Sequence, residues 1–349
     1  MRTRSGSARR ACDSSPFAGR VSPGPPLRPD PTPMPAHADL RLDTASGIAQ
    51  GRRAHQEDTI VSDFPIGGRV GLVVLADGMG GHAAGDVASQ IAVTEVFRAL
   101  KCGAGDPDRV LAHAPRLLRR AADTANTSIA VHIRRHAETC GMGTTLIAAI
   151  VAGDRLFWLS VGDSPLLLLR DGALQRINKD HSLAPQIDGM ARIGLLTPEE
   201  ARRHPDRNCL TSAICGTEIT QIDCPETPLE LAKGDILVAA SDGLAYIGLD
   251  RIRAILEENR TRSSAEIADA LFRAIEDVAD PEQDNVCFSV IRVLCAAGQP
   301  TVQAHPPLRL LGAPAKTGPR PDCPCATAPR SRFGALAARW LPGHRGGLS

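Results

Sequence analysis

The chain has 349 residues, 43% of them hydrophobic, which suffices for one large domain or two modest ones with a self-supporting core. Charged residues make up 23% and the formal net charge is +1, so there is no overall basic surplus of the kind that marks nucleic-acid or membrane binding. Ten cysteines include no C-x-x-C pair, no apolar N-terminal run offers a secretory segment, and no apolar stretch reaches the ~18 residues of a membrane helix, so reduced thiols in a cytoplasm are expected.

Residues 1–38 are rich in Pro, Arg, Ser and Gly and poor in β-branched and aromatic residues; they read as a disordered leader, with Met34 as an alternative start. Residues 296–349 return to Pro, Ala and Arg and read as a flexible tail, although Phe333, Leu336, Trp340 and Leu341 fall near a helical repeat. The leader carries +4 and the tail +6, which leaves −9 on residues 39–295. An acidic domain between basic ends is the expectation if carboxylates gather around metal.

Within that domain the apolar spacing of Val87, Ile91, Ala92, Val96 and Leu100 predicts a helix over 86–100, and Asp106-Pro107 caps a long one reaching His136. Apolar runs at 145–151, 156–161, 166–169 and 173–177 alternate with Gly153-Asp154 and Asp171-Gly172 turns, which predicts antiparallel neighbours. Thr197-Pro198-Glu199-Glu200 is a capping box, Ser263 with Glu266 opens a helix to Ala279, and strands are expected at 231–240, turning at Lys233-Gly234-Asp235, and at 285–293. Antiparallel strands interleaved with helices indicate an α+β sandwich and argue against a doubly wound parallel sheet.

Three apolar strands run into aspartate, at Asp77, Asp163 and Asp242; Asp284 instead precedes its strand, and Glu57-Asp58 follows Arg53. Carboxylates that converge at the ends of strands repel one another unless a cation lies among them, and an all-oxygen donor set selects Mg²⁺ or Mn²⁺ over Zn²⁺. Gly78 would let its own carbonyl approach such an ion. The loop from Asp77 to Gly85 contains G-x-G-x-x-A, but Asp77 would repel a pyrophosphate and no acidic residue stands at a second strand end at the required offset. Leu75 occupies the place of the second aspartate of a phosphoaspartyl hydrolase, and no cysteine is followed six positions later by arginine, which removes the thiolate phosphatase mechanism.

Arg53-Ala54-His55-Gln56-Glu57-Asp58, Asp77-Gly78-Met79-Gly80-Gly81-His82, Gly143-Thr144-Thr145, Asp242-Gly243 and Asp284-Asn285 together resemble, in order and spacing over residues 45–295, the metal-dependent serine/threonine protein phosphatases of type 2C, especially the bacterial ones. The resemblance implies a four-layer α-β-β-α sandwich of two antiparallel sheets flanked by helices. It implies Asp77, the carbonyl of Gly78, Asp242 and Asp284 as ligands of two Mn²⁺ or Mg²⁺ ions, Glu57 and Asp58 as their supporting shell, and Arg53 as the phosphate-binding residue. Asp163 is implied at a third metal position. Two departures stand out: Gln56 replaces the usual asparagine, and Pro165 replaces the arginine of the G-D-S-R element, so that whatever that arginine does is absent or supplied elsewhere. Asp180-His181-Ser182 and the helix from Thr197 resemble the variable flap beside the site, while His82 is not assigned a catalytic role.

The expected chemistry is hydrolysis of phosphoserine and phosphothreonine on proteins by a hydroxide bridged between two cations, without a covalent intermediate. Arg53 would grip phosphate with its planar fork, the alternative being a surface ion pair with Glu57. The partners expected are phosphoproteins made by an opposing serine/threonine kinase, with no nucleic acid, no transmembrane segment and a monomeric chain. A non-catalytic phosphoprotein-binding module and a hydrolase of small phosphate esters are the alternatives.

Overall fold

Val70–Met79 reads as an unbroken apolar run because both of its faces are covered: Leu72, Val74 and Ala76 point to one buried cluster, Val73 and Leu75 to another. That two-sided burial sets the plan of the whole domain. The computed structural model describes residues 40–66, 68–80, 84–104, 106–295 and 309–311, all within one unit.

In chain order the elements are β1 (Leu40–Ala49), β2 (Asp58–Asp63), β3 (Val70–Met79), α1 (Ala84–Gly103), α2 (Pro107–Arg135), β4 (Gly143–Thr144), β5 (Leu146–Ala152), β6 (Arg155–Val161), β7 (Leu166–Arg170), β8 (Ala173–Arg176), α3 (Ala184–Arg192), α4 (Pro198–Arg202), β9 (Leu229–Glu230), β10 (Ile236–Ala240), α5 (Leu249–Glu258), α6 (Ser264–Val278), β11 (Val286–Cys295) and β12 (Arg309–Leu311). One sheet has the order β2-β3-β5-β6-β9, with β4 paired to β3; the other runs β12-β1-β11-β10-β7-β8. Their inner faces meet through Val73, Leu75, Ile147, Leu168, Leu237 and Ile291. Helices α1 and α2 cover the first sheet through residues such as Ala92, Val96, Leu118 and Ile129, and α5 and α6 cover the second through Ile252, Ile267, Leu271 and Phe272. The result is the expected α-β-β-α sandwich.

The capping chemistry acts where the sequence places it. The Asp106 carboxylate accepts from the Asp108 and Arg109 amides, and the Thr197/Glu200 and Ser263/Glu266 capping boxes are both closed. Asp171 and Gly172 both have positive φ, as the tight β7–β8 turn requires.

Three expectations need correction. The runs from 145 to 177 are not one series of neighbours: β5 pairs with β6 and β7 with β8, but between β6 and β7 the chain crosses from one sheet to the other through 162–165. The stretch 231–240 is likewise strand only over 236–240, where β10 lies between β11 and β7, and the strand before the turn is β9, which ends at Glu230 and joins β6. Sheet membership follows from which buried face each strand meets, which a two-residue turn does not encode. Asp77 lies inside β3, with no strand end at that point, because β4 extends the pairing to Met79.

Four elements carry weak local signals: β1 and β2, whose faces mix polar and apolar residues, and α3 and α5, whose N-cap residues, Leu183 and Gly248, offer no capping side chain. In the segment read as a tail, Arg309–Leu311 pair with Gly47–Ala49, the one parallel pairing among the described strands. The rest of that segment, the leader 1–38, the apolar repeat from Phe333 to Leu341 and His82 lie outside the described residues. Among the described residues no helix is long and apolar enough to cross a membrane.

Candidate active site

Pairing of β2 with β3 sets Asp58 directly opposite Asp77, and such partners project to the same face of a sheet. The β10 strand ends at Ala240 and delivers Ser241 and Asp242 into a short 3₁₀ turn, while Asp284 and Asn285 immediately precede β11, the neighbour of β10. The crossover out of β6 adds Asp163. Five separate segments thus bring five aspartates to one region, and each of Asp58, Asp163, Asp242 and Asp284 repels Asp77 electrostatically.

The backbone carrying these groups is held by side chains. Thr144 Oγ1 donates to the Asp77 carbonyl at 2.8 Å, the Thr145 amide donates to the same oxygen at 2.8 Å, and Thr145 Oγ1 accepts from the Asp77 amide at 3.0 Å. That is the work of the Gly143-Thr144-Thr145 element. Asn285 does the same for the Arg53–Asp58 loop: its Oδ1 accepts from the Glu57 amide at 2.7 Å, and its Nδ2 donates to the carbonyls of Gln50 (2.8 Å) and His55 (3.0 Å). Gln56 stays local, accepting from the Asp58 amide at 2.9 Å.

Close approach explains the glycines. A Cβ on Gly78 would lie 2.1 Å from the Gly85 carbonyl oxygen, and one on Gly243 would lie 2.0 Å from that of Asn285.

Electrostatics divide the site. Burial pushes Asp58 up to about 7, with repulsion from Asp242 and Asp284 adding to it, although Ser241 Oγ donates to its Oδ2 at 2.7 Å. Burial likewise raises Asp163 to about 7, helped by Asp242 and Asp180. Asp77 is held well above the usual carboxylate range by burial and its four acidic neighbours. Burial and Asp284 raise Asp242, opposed by a hydrogen bond with the Asp77 side chain. Glu57 is raised by burial, against the pull of Arg53.

At the rim, Arg53 Nη2 lies 2.5 Å from Asp284 Oδ2, with side chains 56% and 26% exposed. The alternative pairing of Arg53 with Glu57 is therefore not the one formed. Burial keeps the Cys287 thiol protonated, beside Asp58 and Asp77.

Among the described residues, no three His, Cys, Asp or Glu side chains close into one ready-made metal-holding group. The carboxylates are instead engaged by Ser241, by Arg53 and by one another. The donor set nonetheless fits a hard divalent cation: it is all oxygen, carboxylates with the Gly78 carbonyl, the nearby thiol is protonated, and the repulsion among the carboxylates is what such a cation would offset.

Arg53, Glu57, Asp58, Asp77, Gly78, Asp163, Asp242 and Asp284, the site residues expected from sequence, thus fall in one neighbourhood. Sequence reasoning did not assign Ser241, Asn285 or Thr145 a role, although the motifs containing Asn285 and Thr145 were visible.

Comparison with known proteins agrees with this geometry. The chain is 36% identical over 224 residues to the serine/threonine protein phosphatase PstP of Mycobacterium tuberculosis, a match covering 64% of this chain and 39% of that protein's own length. It is 32% identical over 231 residues to the serine/threonine phosphatase stp of Listeria monocytogenes, covering 65% of this chain and 85% of that one. The crystal structure of the PstP catalytic domain in complex with two manganese ions superposes with a TM-score of 0.58 at 33% identity, over 73% of this chain and 99% of that one. Residues 51–285, which run from the Arg53 loop through the Asp284-Asn285 corner, match the family model described as protein phosphatase 2C, and the chain belongs to that family.

Proposed function

We propose that this chain hydrolyses phosphoserine and phosphothreonine on proteins, with residues 39–295 as the catalytic domain. The observation that carries this reading is the convergence of five aspartates from five segments, with Arg53 paired to one of them, Asp284, at the rim. The manganese complex of the PstP catalytic domain and the names of the relatives support it.

Asp77, the Gly78 carbonyl, Asp242 and Asp284 would hold two Mn²⁺ or Mg²⁺ ions, with Glu57 and Asp58 ordering the shell around them and Asp163 serving a third. When bound, such ions supply an acidified water as the nucleophile and neutralise charge on the phosphoryl group. The protein's own part is positional. Thr144 and Thr145 fix the main chain of Asp77, Asn285 fixes the loop that carries Arg53 and Glu57, and Ser241 orients Asp58. Arg53, at the rim and half-exposed, has two donor nitrogens to offer a phosphoryl group entering from solvent, and it stabilises the charge that builds on the equatorial oxygens. Substrates of this chemistry are the products of a serine/threonine kinase.

The test is dephosphorylation of phosphoserine and phosphothreonine peptides in the presence of Mn²⁺, with excess EDTA and Asp242→Asn as controls. Turnover that requires the metal and is lost in the variant is expected. Full turnover in EDTA would overturn the reading.

A further inference from the structure

Asp163 sits on the crossover between the two sheets, flanked by a bond from the Ala240 amide to the Pro165 carbonyl (3.0 Å), one from the His181 amide to the Gly162 carbonyl (3.0 Å), and the Thr145 Oγ1–Ser164 Oγ contact (2.7 Å). Gly162 has a φ of +99°, and Pro165 has no amide hydrogen to donate. Between those bonds the Asp163 carbonyl itself is met by a side chain.

The tight Asp171-Gly172 turn sends β8 back along β7, so that Arg176 stands opposite Leu167 and its side chain reaches the crossover just beyond. The guanidinium meets five acceptors there. Nη2 donates to the Asp163 carbonyl at 2.8 Å, with longer contacts of 3.4 Å to the carbonyls of Ser164 and Lys179. Nε donates to Asn178 Oδ1 at 3.1 Å, and Nη1 to Asp180 Oδ2 at 2.8 Å. Asn178 completes the lacing: its Nδ2 donates to the Ser164 carbonyl at 3.0 Å, and its Oδ1 accepts from the Leu166 amide at 2.8 Å. His181 closes the other side, accepting from the Gly162 amide at 3.2 Å. A surface arginine in an ordinary ion pair holds one carboxylate; this one, with its side chain 24% exposed, spans 163 to 180. Its planar fork is what allows several main-chain oxygens to be held at once.

We propose that Arg176 is a positioning residue for Asp163, locking the Asp163-Ser164-Pro165 crossover and separating Asp163 from the like charge of Asp180. It supplies from β8 a cation that Pro165 cannot provide. The proposal rests on the reading of Asp163 as a metal-site carboxylate, and it adds a residue to which that reading gives no part.

Full-length Arg176→Ala, Arg176→Lys and Asp163→Ala proteins, with the Arg176→Ala/Asp163→Ala double variant, test it by two measurements. Amide hydrogen exchange in the absence of added metal reports on the crossover itself. The Gly162 and Leu166 amides should exchange about tenfold faster in Arg176→Ala, while those of β3 and β5 stay protected, and Lys should fall between because it keeps the charge without the fork. The second measurement is the Mn²⁺ concentration giving half-maximal phosphopeptide turnover. It should rise about three- to tenfold in Arg176→Ala with KM for the peptide unchanged, and Arg176→Ala should add less than twofold in the Asp163→Ala background.

Unchanged exchange at Gly162 and Leu166, or losses that simply add in the double variant, would overturn the proposal. If Arg176→Ala does not fold, unchanged exchange in Arg176→Lys overturns it equally. A wild-type protein that turns over no phosphopeptide would count against the proposed function, and the exchange data would still decide the role of Arg176.

Discussion

The floor and the rim of the site are built on opposite principles. On the floor, Asp58 and Asp77 face each other across two paired strands, and burial with repulsion from the surrounding acidic residues raises both above the ordinary carboxylate range. At the rim, Arg53 and Asp284 come from two loops and form an ion pair with solvent on one side. A carboxylate pair buried on a sheet costs free energy that only a proton or a cation offsets, whereas a half-exposed ion pair is worth about 0–1 kcal/mol and is readily exchanged for another partner. The floor is therefore suited to holding cations, and the rim to exchanging an internal carboxylate for a substrate phosphate.

The largest effect that can separate the two regions is expected from Asp77→Asn. It removes a floor charge without changing shape, so Mn²⁺ binding measured by calorimetry should weaken sharply and phosphopeptide turnover fall by roughly a thousandfold or more, with only partial recovery in excess Mn²⁺. Wild-type metal affinity in this variant would remove Asp77 from the centre.

Asn285→Ala strikes the clamp that joins floor to rim. Three hydrogen bonds at about 1 kcal/mol each predict a loss of about 3 kcal/mol in denaturant unfolding, and a stability within 0.5 kcal/mol of wild type would show that the loop holds itself.

Arg53→Ala should spare the floor. Catalytic efficiency should drop ten- to a few-hundredfold, corresponding to about 1.5–3 kcal/mol, while Mn²⁺ affinity is equal to wild type or slightly tighter because Asp284 loses its competing partner. Loss of metal binding in this variant would erase the distinction between the two regions.

The last effect is one of pH. Asp58 and Asp163, at about 7 in the folded chain, ordinarily titrate near 3.9 when unfolded, so between about pH 4 and 7 the folded chain keeps protons that the unfolded chain has lost. Their contribution is thus fully present below about pH 4, is lost as pH rises toward 7, and is constant above it. Calorimetric melting of the metal-free protein should show stability falling over that window. Saturating Mn²⁺ binds the deprotonated carboxylates, so its increase in Tm should be larger at pH 7.5 than at pH 5.5. A Tm increase independent of pH would mean that the floor carboxylates are not the ones engaged.

Much of this architecture was legible in the residues. The caps at Asp106, Thr197 and Ser263, the turn at Asp171-Gly172 and the apolar runs of β5, β6 and β7 are all local signals, acting over two to four residues, and they formed as the sequence indicates. The aspartates and Arg53 were legible as an ordered set of short motifs. What was hidden lay in relations between distant residues: the crossover at 162–165, the separation of β9 from β10 into different sheets, the Arg53–Asp284 pair and the clamp of Asn285 on the Arg53 loop.

By itself the sequence determined where the capped helices and the apolar strands β5 to β7 lie, that the charged donors are hard oxygens, and that the motif-bearing stretch resembles one family. Only the tertiary structure decided which sheet each strand joins, that Arg53 rests on Asp284 and not on Glu57, and that an arginine from β8 braces Asp163. Capping, turn geometry and side-chain periodicity are interactions between neighbours in the chain and are written into it directly. The meeting of residues 231 positions apart depends on two sheets burying their inner faces against each other, and that packing is a property of the whole domain.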